Sequence, residues 1–422
     1  MKRILTLMLA LLMILPIMIS GAIADDEQKI LKVAGCNNLE DTTNPYSVLL
    51  IDFFEKFTQE TGIDIEYETV VWDQIDSKLV VTNMAGAPSS DLTWCSSQKL
   101  ASLMNSNALY PLDEFIERDL NENDYTSLMW NAVTYPVDKK KYMVLTSIHS
   151  RGIWYNTDLM PEAPKTWDEL VEYGMEATDP DNNQWGFGCY LIPQYGSMEV
   201  TVGPFIWAAG GSISTVEGAG CWNEPEAVEG IQFLADLFHK FKIASPACYE
   251  ADFSGIEEGF RTGSVASVIN GTYAVSSYMD TDLARDGKIK FAPIPGKDGP
   301  APNFSNGWAL GIPSNCPEDK LEMAWELMKF WSRADNQAEH SKVEGGLPTA
   351  IASYENEAFL VEPFISFFNN LPNGRSMDPL VHYQEGLEAA ILSIHQYLFD
   401  PSIDLQAALD EGVENFNAEF GY

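Results

Sequence analysis

Between Ile30 and Met104 the hydrophobic pattern switches repeatedly between strand and helix periodicity, and that alternation restricts the fold more than any other feature. Ile30 to Cys36 is a continuous apolar strand. Pro45 opens a helix with Leu49, Leu50, Phe53, Phe54 and Phe57 on one face, and Gly62 ends it. Ile63, Ile65 and Tyr67 alternate with polar residues, which signals a second strand. Trp72 to Met84 reads as a helix stopped by Gly86 and Pro88, Asp91 to Cys95 as a third strand, and Gln98 to Met104 as the start of another helix. Strand and helix in strict alternation predict an α/β fold built on a parallel sheet with helices on its faces. At 422 residues the chain exceeds what one hydrophobic core holds, so two or more domains are expected.

Downstream the punctuation is equally regular. Tyr142 to Tyr155 is extended and carries Ser147, His149, Ser150 and Arg151. Thr166 and Glu169 have capping-box spacing and open a helix to Met175. Trp185 to Leu191 reads as a strand, and Pro204 to Ala209 is an apolar run closed by Gly210-Gly211. Asn223 with Pro225 begins a long helix whose core face is Val228, Ile231, Leu234, Phe238 and Phe241. Ser254 and Glu257 repeat the capping-box spacing, Gly263 suits a left-handed helix end, and Val265 to Ile269 is a β-branched strand. Asn270-Gly271 is then expected to turn the chain and deliver Tyr273 at the strand's C-terminal end, where open α/β sheets bind ligands. Ile289 to Pro295 reads as an extended crossing segment, Trp308 to Ile312 as a strand, and Pro317 as the start of a helix broken by Gly345-Gly346-Leu347-Pro348. Leu380 to Leu398 and Leu405 to Phe416 are helical patterns.

The net charge of −37 argues against nucleic acid or an anionic membrane surface as a partner. Lys2 and Arg3 precede an apolar run from Ile4 to Ile19, and Ala22-Ile23-Ala24 is an A-x-A cleavage pattern, so residues 1–24 read as a secretory signal peptide. The mature chain is expected to begin near Asp25 and to make no stable membrane insertion. Val33-Ala34-Gly35-Cys36 imitates a lipoprotein cleavage box but lies past the charged stretch Asp25 to Lys32, so it reads as a chance match. Cys36, Cys95, Cys189, Cys221, Cys248 and Cys316 show no C-x-x-C pair and no metal-ligand spacing. Export permits disulfides, and Cys36 and Cys95 would come close if their strands were neighbours; free buried thiols are the simpler expectation.

No nucleophile elbow, Walker loop, zinc-protease motif or dinucleotide fingerprint is present, and no cofactor or metal is expected. With 62 acidic residues, carboxylate pairs carry no information, so counting does not exclude a secreted glycan-active enzyme. What the sequence does concentrate near its strand ends is aromatic: Trp94, Tyr195, Trp207, Tyr273, Trp308, and Tyr383 at a helix start. Aromatic faces with a few polar neighbours suit the apolar faces and hydroxyls of a sugar.

Several stretches then carry a family resemblance. They are Phe54-Glu55-Lys56-Phe57 through Thr61-Gly62-Ile63; Ala85-Gly86-Ala87-Pro88 with Asp91-Leu92; Trp154-Tyr155-Asn156-Thr157-Asp158-Leu159 followed by Lys165-Thr166-Trp167-Asp168-Glu169-Leu170; and Phe260-x-x-Gly263-x-x-Ala266 with Asn270-Gly271-Thr272-Tyr273. Gly307-Trp308-Ala309-Leu310-Gly311-Ile312 and Gly346-Leu347-Pro348-Thr349 complete the order. Together they resemble the extracellular solute-binding proteins of ABC transporters, in the carbohydrate-binding, maltodextrin-binding-protein-like group. The resemblance implies a two-lobe periplasmic-binding-protein fold of type II. One lobe would be about 28–146 and 296–345, the other about 147–295 and 346–422, with crossings near Thr146, Pro295 and Leu347. It implies a monomeric, non-enzymatic receptor that captures a mono- or oligosaccharide by lobe closure and delivers it to permease subunits, with a polyol, sugar phosphate or peptide as alternative ligands. Ligand contacts carried over by position are Asn37 and Asn38 after the first strand, Cys95 and Gln98 after the third, His149 and Arg151 on the crossing, and the aromatics Tyr273, Trp308 and Tyr383. Tyr195 and Trp207 join them from the aromatic concentration. Arg151 is the one obvious cation near the expected cleft, which favours neutral ligands. The family's frequent lipoprotein box is absent, which favours a periplasmic over a cell-surface location.

Overall fold

The computed structural model describes residues 29–71 and 74–422. The expected leader at 1–24, and Trp72 at the expected start of the second helix, lie outside the described residues. In chain order the strands are β1 (Lys29–Gly35), β2 (Ile63–Thr69), β3 (Leu92–Ser96), β4 (Met143–Leu145), β5 (Arg151–Asn156), β6 (Ser267–Gly271), β7 (Ile289–Ala292), β8 (Asn303–Phe304), β9 (Trp308–Gly311) and β10 (Gly374–Arg375).

The first lobe is organised on a five-stranded sheet ordered β2-β1-β3-β9-β4. β1 runs parallel to β2 and β3, as the alternating pattern requires, while β9 enters antiparallel between β3 and β4. The helix Pro45–Thr61 begins where the Asn44 side chain accepts from the Tyr46 N–H at 2.9 Å, and it ends at Gly62 with φ +70°. Its buried face, Leu50, Phe53, Phe54 and Phe57, meets the helix Glu318–Ser332: the Phe53 and Trp331 rings lie 5.3 Å apart, and Phe57 and Phe330 5.5 Å. Burying each such ring contributes about 2–3 kcal/mol, so Phe57→Ala alone would cost about 3–5 kcal/mol.

The second lobe has a three-stranded antiparallel sheet, β6-β5-β7. Trp154 in its middle strand is fully buried and touches Tyr278, Phe291 and Phe367 edge-on at 5.1, 5.1 and 5.4 Å. Trp185 to Leu191 extends this sheet as single parallel bridges to Val265, Ala244 and Val268 rather than as a full strand. The helices Pro225–His239, Tyr383–Phe399 and Leu405–Phe420 pack on one another beside it.

Two local expectations are corrected. The helix Phe253–Arg261 is capped by Asp252, whose carboxylate accepts from the Gly255 N–H at 2.9 Å; the cap sits ahead of Ser254 because a carboxylate satisfies the first-turn donors. Asn270-Gly271 does not turn: both residues remain in β6, opposite Gly152 and Arg151, and the bend falls in the 3-10 turn Thr272–Ala274. The apolar run from Pro204 forms most of the helix Gly203–Ala208, which continues a π-turn over Met198–Val202 and is capped at Ala209.

Three segments, at 148–149, 306 and 347, are laced by backbone hydrogen bonds where the expected crossings at Thr146 and Leu347 fall. Ile148 exchanges N–H and C=O bonds with Leu347 at 2.8 and 2.7 Å, and His149 does the same with Asn306 at 2.7 and 3.2 Å. The loop around Pro295 makes its bonds inside the second lobe, where Trp167 N–H reaches the Gly296 carbonyl and Ala301 N–H that of Ile294.

Candidate functional site

A cavity of about 440 Å³ opens between the lobes, against the laced segments. Strand pairing explains which side chains arrive there. β3 and β9 pair with Ser96 opposite Trp308, so the end of β3 with its turn Ser97–Lys99 brings Gln98 beside Trp308. β5 and β6 pair with Arg151 opposite Gly271, so the antiparallel ladder sets Arg151 next to the turn that carries Tyr273. The helix Ala334–Glu344 stops at Gly345, φ +85°, and leaves Glu344 at the cavity edge. From the far side come Tyr190, Tyr195, Glu199 and Phe253, with the Tyr190 and Phe253 rings stacked at 3.8 Å.

The polar groups on the crossing side are tied to one another. The Arg151 guanidinium donates to the carbonyls of His149 at 2.8 Å and Phe304 at 3.4 Å and to the side-chain oxygen of Asn306. Asn306 in turn donates to Gln98 Oε1 at 2.8 Å. His149 Nε2 and Glu344 Oε1 are 2.7 Å apart, and the other Glu344 oxygen accepts from the Gly346 N–H at 2.9 Å. Burial works against the Glu344 charge, but the His149 charge and hydrogen bond, with His340 and Ser147 adding to them, hold its carboxyl down to about 2. Behind it, burial pushes the His340 imidazole down to about 4 although Glu344 pulls the other way; its Nε2 lies 2.7 Å from the Tyr46 hydroxyl.

Glu199 behaves differently. Burial raises its carboxyl above the usual range, against the opposing pull of the Tyr383 hydroxyl, Arg151 and, from the facing lobe, Lys99. Tyr383 donates its hydroxyl to Glu199 Oε1, and Lys99 itself is paired with Asp76 at 3.5 Å.

Of the residues expected from sequence, the cavity gathers Gln98, His149, Arg151, Tyr195, Tyr273 and Trp308. Five others do not line it. Cys95 is fully buried and its thiol donates to the Ala309 carbonyl at 3.6 Å. The Trp207 ring is buried, with its N–H on Asp378 at 3.1 Å and the Arg375 guanidinium 4.5 Å over its face. Tyr383 is buried behind Glu199 rather than offering a face. Asn37 is held by backbone contacts to Tyr67 and Thr69, and Asn38 is exposed, accepting from the Glu40 N–H at 3.0 Å. Glu199, Glu344, Asn306, Tyr190 and Phe253 are cavity residues that sequence reasoning missed; the aromatic pair carried a signal of the kind used for Tyr195, whereas Glu199 sits in an apolar run with no motif around it.

The model of the bacterial extracellular solute-binding protein family matches residues 52–362. This chain belongs to that family. Among its relatives, the maltotriose-binding protein of Pyrococcus abyssi is 25% identical over 231 residues, which cover 53% of this chain and 46% of that one. An ABC transporter periplasmic-binding protein of Sinorhizobium fredii, assigned to amino acids, is 22% identical over 336 residues, 71% of this chain and 69% of that one. The match thus spans about half the length of the first curated relatives. In fold, the sugar-binding protein MalE of Xanthomonas citri superposes with a TM-score of 0.81 at 16% identity, over 92% of this chain and 97% of that one. The solute-binding chain therefore has the two-lobe periplasmic-binding-protein architecture. Among the described residues no helix is long and apolar enough to cross a membrane, and no group of His, Cys, Asp and Glu is arranged to hold a metal.

Proposed function

We propose that the chain is the substrate-binding receptor of an ABC importer. It captures a neutral mono- or oligosaccharide in the interlobe cavity, acts outside the cytoplasmic membrane as a monomer, and presents the closed form to permease subunits. The observation that carries the ligand class is the lining itself: Tyr190, Tyr195, Phe253, Tyr273 and Trp308 supply ring faces, Gln98, Asn306 and Glu199 supply hydroxyl partners, and Arg151 is the one Lys or Arg among the lining residues. Three oxygen acceptors within the protein hold that guanidinium in place through Nη1, and the lining residues offer an anion no second Lys or Arg. The names of the maltotriose-binding and sugar-binding relatives support the same class. The hydrogen-bond pattern supports lobes of 29–146 with 308–345 and of 151–303 with 364–422, joined by crossings at 146–150, 304–307 and 345–348. Closure then draws its free energy from ligand contacts made to both lobes at once.

One observation favours a second reading. Glu199 and Glu344 line the same cavity with their carboxyls shifted in opposite directions, a pattern shared by the acid and base of a glycosidase. Both Glu344 oxygens are engaged by His149 and Gly346, which leaves that carboxylate a poor base. A thermal-shift screen against neutral sugars, oligosaccharides and polyols, with product analysis on each hit, separates the readings. A sugar that stabilises and is recovered intact supports the receptor. A sugar that is cleaved assigns an enzyme, and a panel with no shift removes neutral carbohydrates from consideration.

A further inference from the structure

The six cysteines all carry free thiols, and their sulfurs are directed differently. The thiols of Cys95, Cys221 and Cys316 each donate to a backbone carbonyl, of Ala309, Ser212 and Pro317, at 3.6, 3.6 and 3.7 Å. Cys36 would stand opposite Cys95 if the β1–β3 register were continued, but the Cys95 sulfur is aimed at β9, on the other side. Cys189 and Cys248 are the exception. Both are fully buried, and the Cys248 sulfur lies 3.2 Å from the Cys189 amide nitrogen. The chain holds them together independently of the thiols: Phe187 bridges Ala244 in parallel, and the Ser245 N–H donates to the Phe187 carbonyl at 3.0 Å, so 187–189 runs beside 244–248.

We propose that Cys189 and Cys248 form a structural disulfide when the protein folds outside the reducing cytoplasm, stapling the wall that carries Tyr190 to the turn that precedes Phe253. The proposal goes beyond receptor function and rests on the chain being exported. The oxidant is a disulfide-bearing molecule, a glutathione disulfide or a dithiol–disulfide oxidoreductase. One cysteine thiolate attacks the oxidant's disulfide and expels one thiol, giving a mixed disulfide. The second cysteine thiolate attacks the protein sulfur of that bond and expels the other thiol. Two protein thiols are thereby oxidised by two electrons to one disulfide, and the oxidant's disulfide is reduced to two thiols. Burial pushes the Cys189 thiol well above its ordinary range, which leaves little thiolate in the folded state, so the bond closes during folding and persists afterwards.

The test uses the mature full-length chain, unfolded with reductant and refolded with oxidised and reduced glutathione. Free thiols are then alkylated in denaturant and the peptides mapped without reductant. The expected result is a single linked pair, Cys189 to Cys248, with the other four cysteines alkylated. Reductant should lower the melting temperature of the linked protein by roughly 5–10 °C, as expected for a crosslink that closes a long loop. Cys248→Ala and Cys189→Ala should each melt at the same temperature with and without reductant. Six alkylated cysteines after refolding, a linkage between any other pair, or a reductant effect that survives in both variants would overturn the proposal. Because the oxidant is supplied, these outcomes do not depend on where the protein is exported.

Discussion

The two sides of the cavity use similar residue types in opposite ways. On the crossing side Arg151, Asn306, Gln98, His149 and Glu344 are bonded mainly to one another and to backbone. On the far side Tyr190 and Phe253 present rings, and Glu199 has one oxygen held by Tyr383, while Tyr273 packs beside Arg151 and His149 where the two sides meet. A polar residue beside a cleft therefore need not serve the ligand. The crossing set braces the lining it belongs to, so Gln98 and Asn306 meet a ligand only with the bonding capacity they have left, and the far set offers mainly rings. Substitutions on the crossing side should change stability first, and those on the far side affinity first.

The largest expected effect is that of Arg151→Met, which strands the acceptors of His149, Phe304 and Asn306 and should lower stability by about 3 kcal/mol in denaturant unfolding. If stability held and only sugar affinity fell, the contrast between the two sides would be broken. Next is the acid limb set by His340. Its unfolded imidazole takes a proton near 6.5 and its folded one near about 4, so within that window the unfolded state binds more protons and stability falls as pH falls. The expected loss from neutral pH to pH 4 is roughly 2–3 kcal/mol, and His340→Gln should flatten it. An unchanged slope in the variant would place the limb on another group. Glu344 adds a lower limb of the same sign, between its usual 4.5 and about 2.

Tyr273→Ala should weaken sugar binding by about 1–3 kcal/mol in calorimetry, with a smaller loss of stability than Arg151→Met. Unchanged affinity would move the binding surface away from this turn. The smallest effect is expected from Tyr383→Phe, which removes the donor on Glu199 and lets burial raise that carboxyl further. Affinity should fall by about 1 kcal/mol, and its acid dependence should move to higher pH. Identical pH profiles in the two proteins would show that the Glu199 carboxyl does not take part in binding.

The fold was legible where physics is local. The switch of period through residues 30–104 gave the parallel strands, and Pro45, Gly62, Thr166, Pro225 and Gly345 marked helix ends that the structure keeps. The site was legible only in part, because it is assembled from pairings that no window contains. Trp308 meets Gln98 only because β9 inserts antiparallel beside β3, and Arg151 meets Tyr273 only through the β5–β6 ladder. Tyr383 and Trp207 share the composition of cavity aromatics but are buried on polar partners, a distinction of orientation that sequence does not encode locally. Glu199 is hidden by number, one acid among 62.

The lacing of the crossing segments also has a mechanical meaning. Residues 146–149 are bonded to Leu347 on one edge and to Asn306 on the other, and Gly307 lies so close that a Cβ there would meet the Ser147 carbonyl oxygen at 1.8 Å. A ribbon three strands wide resists shear and stretch through its hydrogen bonds and yields most easily by flexing across its width. Any side chain at 307 would prise the strap apart at Ser147, and the stiffness that its hydrogen bonds give against shear and stretch would go with it.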